Sequence, residues 1–217
     1  MKRKSLIIGA GGHCRVVVSL LVARGDRDAL GIIDLAEPRG GESIMGVAII
    51  GSTGRLAEYR GRDDIDVFLA IGDNAVRRTW WQALRESGLA FPSLVSPQAI
   101  VDPTARLGEG TVVCARAFVG PDAVVGNNAL LNTSCIVEHE VRIGDHCHLA
   151  PSSTVAGRSR IGDGCFIGAG ATVIDRITIA ADVTVGAGAT VVRDIDATGG
   201  VYVGVPARKR AAGVNTA

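Results

Sequence analysis

The chain has 217 residues, a formal net charge of +1, 47% hydrophobic residues and only 4% aromatics. Near-neutrality excludes the basic footprint of a nucleic-acid or anionic-membrane binder, and no apolar run reaches bilayer-spanning length. A composition rich in small aliphatics and poor in rings favours a core of many short units in register.

The first part alternates strand and helix. Ser5–Gly9 reads as a short buried strand, followed by the turn GAGGHC and a helix over RVVVSLLVAR. Leu30–Asp34 and Val47–Ile50 read as further strands, with a short helix over Gly54–Tyr59. Asp66–Ile71 reads as a fourth strand, leading into AIGDNAVRR and a helix over Ala75–Ser87. Such alternation predicts a small Rossmann-like parallel sheet, an α/β mini-domain over residues 1–93. Its glycine-rich turn between strand and helix suits a pyrophosphate on backbone N–H groups. Cys14 stands where a dinucleotide fingerprint has its last glycine, and the segment has room for one mononucleotide-binding half only. Asp34 ends the second strand, where a ribose- or base-binding acid sits. Asp73 and Asn74 also read as a helix N-cap.

Near residue 94 the period changes. From Val95 through Val101, Leu107 and Val113 to Val191, every sixth residue is aliphatic, seventeen in succession without an insertion. Four places after each comes a second uncharged residue, among them Cys135, Cys147 and Cys165. A strict period of six matches neither helix nor simple strand and marks a solenoid of short strands, a parallel β-helix over residues 94–199 with a tail over 200–217. The three cysteines are read as small buried hydrophobes. The five cysteines in all are odd in number and irregularly spaced. They fit reduced thiols and, with the short apolar run after the basic start, a cytoplasmic protein.

Three of the four histidines fall in the solenoid, at 139, 146 and 148. The hexad register puts none of them inward. His139 stands at a corner and is followed by Glu140, a carboxylate able to orient the ring. Imidazole changes charge near neutral pH, as a general base must. His146 is expected to be an ordinary exposed residue.

The hexads over residues 95–196, with GAGGH, AIGDN, NTS…EHE and GVPAR, resemble the left-handed β-helix acetyltransferases of hexapeptide-repeat type. The similarity lies with the bacterial nucleotide-amino-sugar N-acetyltransferases and sialic acid O-acetyltransferases. It implies triangular coils of three hexads, a homotrimer with active sites between subunits, and acetyl-CoA as co-substrate without a metal. It further implies N-acetylation of a UDP- or GDP-linked 4-amino-deoxyhexose in surface glycan biosynthesis. By the same resemblance His139 is the base, Glu140 its carboxylate, Asn132 holds the acceptor, and His148 lies beside the acetyl group. Gly157, one coil on, admits the pantetheine arm. Ala187 stands where relatives carry a glycine offering its N–H, and Arg208, with Lys209 and Arg210, lies near the adenine end. Gly9, Gly11, Gly12, His13, Asp34, Asn74 and Arg77 line the nucleotide pocket, and Arg15 adds a phosphate contact.

Other readings differ in what they require. O-acetylation of a free sialic acid shares the layout. A non-catalytic nucleotide-sugar-binding protein would bind no coenzyme A. The zinc carbonic anhydrases built on such coils need three histidine ligands from neighbouring subunits, one of them well upstream of a close pair, and the histidine well upstream here, His13, lies outside the coils. A dehydrogenase lacks space for a second nucleotide.

Overall fold

The computed structural model describes residues 2–38 and 40–211. The chain divides into two compact units, one up to Pro97 and the other from Gln98 on. The last six residues of the expected tail lie outside the described residues.

The first unit contains β1 (Arg3–Ile8), α1 (Gly12–Arg24), β2 (Arg27–Asp34), β3 (Ser43–Ile44), β4 (Val47–Ser52), a 3-10 helix (Thr53–Tyr59), β5 (Ile65–Leu69) and α2 (Asn74–Leu84). The sheet order is β3-β4-β2-β1-β5, parallel except for the β3–β4 pair. The predicted strands are present, with bounds shifted by up to three residues, and the short helix is 3-10. The β3–β4 hairpin is an addition to the sequence reading. Leu6, Ile8, Ile33, Val67 and Leu69 pack with Trp81 and Phe91, whose rings meet edge to face at 5.0 Å. α1 buries Cys14, Val17, Val18, Leu20 and Leu21.

The second unit is the column of coils. Its strands are two residues long and pair in parallel with the strand 18 residues on, as Val119 does with Val137 and Val137 with Val155. In each pair of residues the second points inward, consistent with strand alternation. From Val113 to Val191 every sixth residue is buried, whereas Val101 and Leu107 in the first coil are half-buried. Each buried aliphatic contributes roughly 1.5–3 kcal/mol before chain entropy is subtracted.

The second inward position is crowded and takes small residues. Several there donate to a turn carbonyl 15 residues on, Thr111 Oγ1 to Gly126 O at 2.8 Å, Ser159 Oγ to Ile174 O at 2.8 Å and Cys147 Sγ to Gly162 O at 3.1 Å, whereas Ser153 Oγ donates to Ala150 O at 2.8 Å. All five cysteines are buried, and none is in a disulfide.

Each corner is a tight turn whose second residue is left-handed. Asp122, Asn128, Ser134, Glu140, His146, Ser152 and Arg158 have φ between +52° and +64°, and Gly110, Gly164, Gly170 and Gly188 occupy the same phase. That conformation costs a side-chain-bearing residue energy. Asn and Asp tolerate it, whereas Glu and Arg gain nothing locally from it, yet Glu140 and the arginines Arg116, Arg158 and Arg176 all adopt it.

The solenoid's final strand, Val201–Val203, pairs in parallel with Thr184–Val185, and Arg208–Lys209 folds back antiparallel onto it. Among the described residues no helix is long and apolar enough to cross a membrane.

Candidate active site

In the first unit a cavity of about 460 Å³ opens at the carboxyl ends of β1, β2 and β5. Gly9, Ala10, Gly11, Gly12, His13, Asp34, Leu35, Ala70, Ile71, Gly72, Asp73 and Val76 line it. Gly9 must be glycine: its φ is +103°, and a Cβ there would stand 3.0 Å from Ile71 Cγ1. Gly11 and Gly12 face open space, with no neighbouring atom within 4 Å of a Cβ. Packing within the chain does not demand glycine at those two positions, whereas backbone contact with a ligand does. Asp34 Oδ1 accepts from Leu35 N at 2.7 Å and from Ala10 N at 3.3 Å, tying β2 to the glycine turn.

Burial, with the charge of Arg77 second, pushes the His13 imidazole down to about 4, so it is neutral at physiological pH. Three of the residues expected at the nucleotide, Arg77, Asn74 and Arg15, lie outside this lining. Arg77 is 3% exposed and does not line the cavity. Its guanidinium lies beneath the loop, donating to Ile71 O at 3.2 Å, Gly72 O at 3.3 Å and Asn74 Oδ1 at 3.0 Å. Asn74 is thereby a partner of Arg77 rather than part of the lining, and Asp73 is the N-cap, accepting from Val76 N at 2.9 Å. Arg15 is exposed on α1 and is likewise absent from the lining. Leu35, Ala70 and Ile71, just past the ends of strands, and Val76 in the first turn of α2 form apolar walls that the motif reading missed, because they carry no motif.

In the second unit His139 stands at the corner between Ile136–Val137 and Arg142–Ile143, half exposed. Its Nδ1 lies 3.1 Å from Glu140 Oε2. The carboxylate only accepts, so Nδ1 carries the hydrogen and Nε2 keeps its lone pair. Arg158, one coil on, donates from Nε to the same Glu140 oxygen at 2.8 Å. Arg158 and then His139 hold the Glu140 carboxyl below its ordinary range. Arg158 was missed, although a separation of 18 residues from Glu140 stacks the two in this register.

The imidazole lies over Gly157: a Cβ there would stand 2.6 Å from His139 Nε2 and 2.7 Å from Cε1. Asn132 lies at the preceding corner of the same coil, its Nδ2 3.3 Å from His148 Nε2 and its Oδ1 accepting from Thr133 N at 2.8 Å. His148 also meets the Phe166 ring edge to face at 5.0 Å. Ala187 is exposed, and its N–H lies against Gly168, where a Cβ would stand 2.6 Å away. Arg208 is exposed, with Nη1 donating to Ala207 O at 2.9 Å. His146 is not the exposed residue expected: it is 8% exposed, and its Nδ1 lies 2.8 Å from Nδ2 of buried Asn128. Its left-handed φ of +62° turns it into the corner stack. No group of three or more His, Cys, Asp or Glu poised for a metal occurs among the described residues.

A strand-end cavity on an α/β unit and an exposed imidazole paired with a carboxylate at a coil corner suit a hexapeptide-repeat transferase with a nucleotide-type domain. Residues 4–84 match the family described as PglD N-terminal domain, and residues 122–157 and 158–193 match Bacterial transferase hexapeptide (six repeats). PerB from Caulobacter crescentus, solved in complex with CoA and GDP-perosamine, is 37% identical with a TM-score of 0.88, over 96% of this chain and 97% of that one. The acetyltransferase domain of PglB from Neisseria gonorrhoeae FA1090 is 34% identical with a TM-score of 0.89, over 96% of this chain and 100% of that one. A UDP-N-acetylbacillosamine N-acetyltransferase of Bacillus subtilis (strain 168) is 35% identical over 112 residues, half of each chain. The chain therefore belongs to the left-handed β-helix acetyltransferases of the hexapeptide-repeat family that carry a PglD-type N-terminal domain.

Proposed function

We propose that this enzyme transfers the acetyl group of acetyl-CoA to the amino group of a nucleotide-linked amino sugar, in the cytoplasm and for surface glycan synthesis. Similarity to enzymes solved with CoA and GDP-perosamine supports the substrate class. The carrying observation is the His139–Glu140 corner: an exposed imidazole with Nδ1 held by a carboxylate and Nε2 left to accept.

In this reading the nucleotide enters the cavity between the glycine turn and Asp34. Neutral His13 supplies hydrogen bonds there without adding charge. The sugar amine attacks the thioester carbonyl while His139 Nε2 takes its proton. The C–N bond forms, the C–S bond breaks, coenzyme A leaves as the thiolate, and Glu140 stabilises the imidazolium. His148 with Asn132 faces the acetyl group, Gly157 and Ala187 flank the pantetheine arm, and Arg208 attracts the phosphates of coenzyme A. Arg15 stands ready for a phosphate outside the cavity.

His139 is on one corner of the coil, whereas Asn132 and His148 belong to another corner and sheet. A homotrimer with sites between subunits lets one chain's base meet its neighbour's Asn132–His148 pair. Apolar outward residues, Ile100, Phe118 and Ile136 on one sheet and Phe166 on another, support that assembly.

The test is His139→Ala, assayed with UDP- and GDP-linked amino sugars beside free sialic acid. kcat is expected to fall about 10²–10⁴-fold, the usual range for a general base, with coenzyme A binding by calorimetry unchanged. Near-normal turnover would remove His139 from the mechanism, and turnover of sialic acid alone would replace N- by O-acetylation.

A further inference from the structure

His139 can accept a proton at Nε2 only while its own hydrogen sits on Nδ1, and the hydrogen bonds of the ring decide which nitrogen carries it. An unheld histidine side chain favours the opposite arrangement, with the hydrogen on Nε2. The useful tautomer therefore depends on Glu140 staying beside Nδ1. That contact is 3.1 Å long, and the Glu140 side chain is half-exposed on a flexible stem. A neutral imidazole alone is a weak anchor for such a carboxylate.

The stronger anchor comes from one coil on. Arg158 N donates to His139 O at 3.0 Å, which fixes the two corners against each other. Its Nε donates at 2.8 Å to Glu140 Oε2, the same oxygen that faces His139 Nδ1. The oxygen is thus pinned between a guanidinium and the imidazole, and the bond between two charged partners is the shorter and stronger of the two. The Glu140 carboxyl is held below its ordinary range by the same two groups, Arg158 first. Arg142 and Arg160 line the same cavity of about 360 Å³ as Glu140, Arg158 and Asp122. Of these three arginines, Arg158 is the one bonded to Glu140 among the described residues. The corner itself does not ask for arginine: Ser134 and Ser152 take the same turn position, with φ of +58° and +59° against +64° at Arg158. What the arginine adds there is the bond to Glu140.

We propose that Arg158 is a positioning residue of the reaction: it holds the Glu140 carboxylate against the imidazole, and so keeps the hydrogen of His139 on Nδ1 and the Nε2 lone pair available. The role rests on His139 being the base, as proposed above. The order of control runs from Arg158 to Glu140 to His139, and the arginine itself need touch neither substrate.

Arg158→Ser borrows a residue that the corners already carry, and Arg176→Ser, one coil further at the same turn position, serves as the control. Nitrogen NMR of the intact protein, labelled at histidine, reads the tautomer without turnover, and His139→Ala identifies the signal. Wild-type His139 is expected in the Nδ1–H form. Arg158→Ser should move it toward the Nε2–H form, while Arg176→Ser leaves it unchanged. In steady state Arg158→Ser should lower kcat about fivefold, the upper scale of a half-exposed ion pair, with KM for either substrate near the wild-type value. Arg158→Lys keeps a cation and should restore both readouts. In a Glu140→Gln background Arg158→Ser should cost nothing further, since the arginine acts through that carboxylate. An unchanged tautomer in Arg158→Ser would overturn the proposal. So would a KM for the nucleotide sugar that rises at constant kcat, which would make Arg158 a substrate contact. If His139→Ala turns over normally, the base reading fails and the role of Arg158 in the reaction falls with it, while the spectra still decide whether Arg158 sets the tautomer.

Discussion

Gly157 gives its side-chain space to His139. With a Cβ at 157 only 2.6 Å from Nε2, the imidazole must rotate away or lift off the corner. Gly157→Ala is therefore expected to cut kcat about a hundredfold, the scale at which an ångström of misplacement is felt. KM for acetyl-CoA should rise as well, since Gly157 also flanks the pantetheine arm in the proposed reading. A variant that raised that KM at constant kcat would leave Gly157 to the pantetheine arm alone and remove its role in seating the imidazole. Residue by residue, the hexad phase was enough to place His139 outward beside Glu140. It did not distinguish His146, whose phase also points out but whose left-handed corner folds the ring onto Asn128. Arg77 shows the other limit: its type and place in AIGDNAVRR suit a phosphate ligand, yet three acceptors of the loop it supports hold it inward.

Between residues and units stand the corners, which are tied together from coil to coil. Glu109 N donates to Asn127 Oδ1, Asn127 N to Asp145 Oδ1, and Asp145 N to Asp163 Oδ1, at 2.9, 2.7 and 2.9 Å. The ladder needs a glycine before each step: a Cβ on Gly144 would stand 2.3 Å from Asp163 Oδ1 and 2.7 Å from Asp163 N. Gly144→Ala should therefore destabilise the column by about 1–3 kcal/mol through overpacking, read as a lower midpoint in urea denaturation. An unchanged midpoint would mean that the coils separate at no cost. The inward aliphatics of these coils were fully legible, since a period of six over so long a stretch has no other reading. The β3–β4 hairpin was not. Its turn, Met45-Gly46, has φ of +51° and +81° as a primed turn requires, but methionine is not the Asn or Asp that usually signals one.

For the molecule as a whole, the three coil sheets differ in what they show outside. One displays Ile100, Phe118 and Ile136 before turning to threonines, and Ile100 is 64% exposed. A second displays His148 and Phe166, with Leu130 of the same row buried, and the third displays the arginines. Apolar sheets of this kind mark association surfaces, whereas a charged row resists edge and face contacts. Ile136→Asp should therefore convert the proposed trimer to monomers in light scattering, with the β-sheet circular dichroism retained and activity lost together with the shared sites. A trimer that survived the charge would move the interface elsewhere. This division of faces follows from outward residues whose identity the sequence gives directly, but which sheet each belongs to depends on counting coils without a single slip.

That count has a consequence for how such a chain can change. Adding or removing eighteen residues lengthens or shortens the column by one storey and leaves every later face where it was. A one-residue insertion just after His139 instead sends each later buried aliphatic to the opposite side of its strand. A six-residue insertion is subtler, since the interior stays oily while every later storey turns by one wall. The arginines would then occupy the wall that carries His148 and Phe166, and His139 would lose Arg158 from above it. Lineages of this protein are therefore free to vary in height far more readily than in phase.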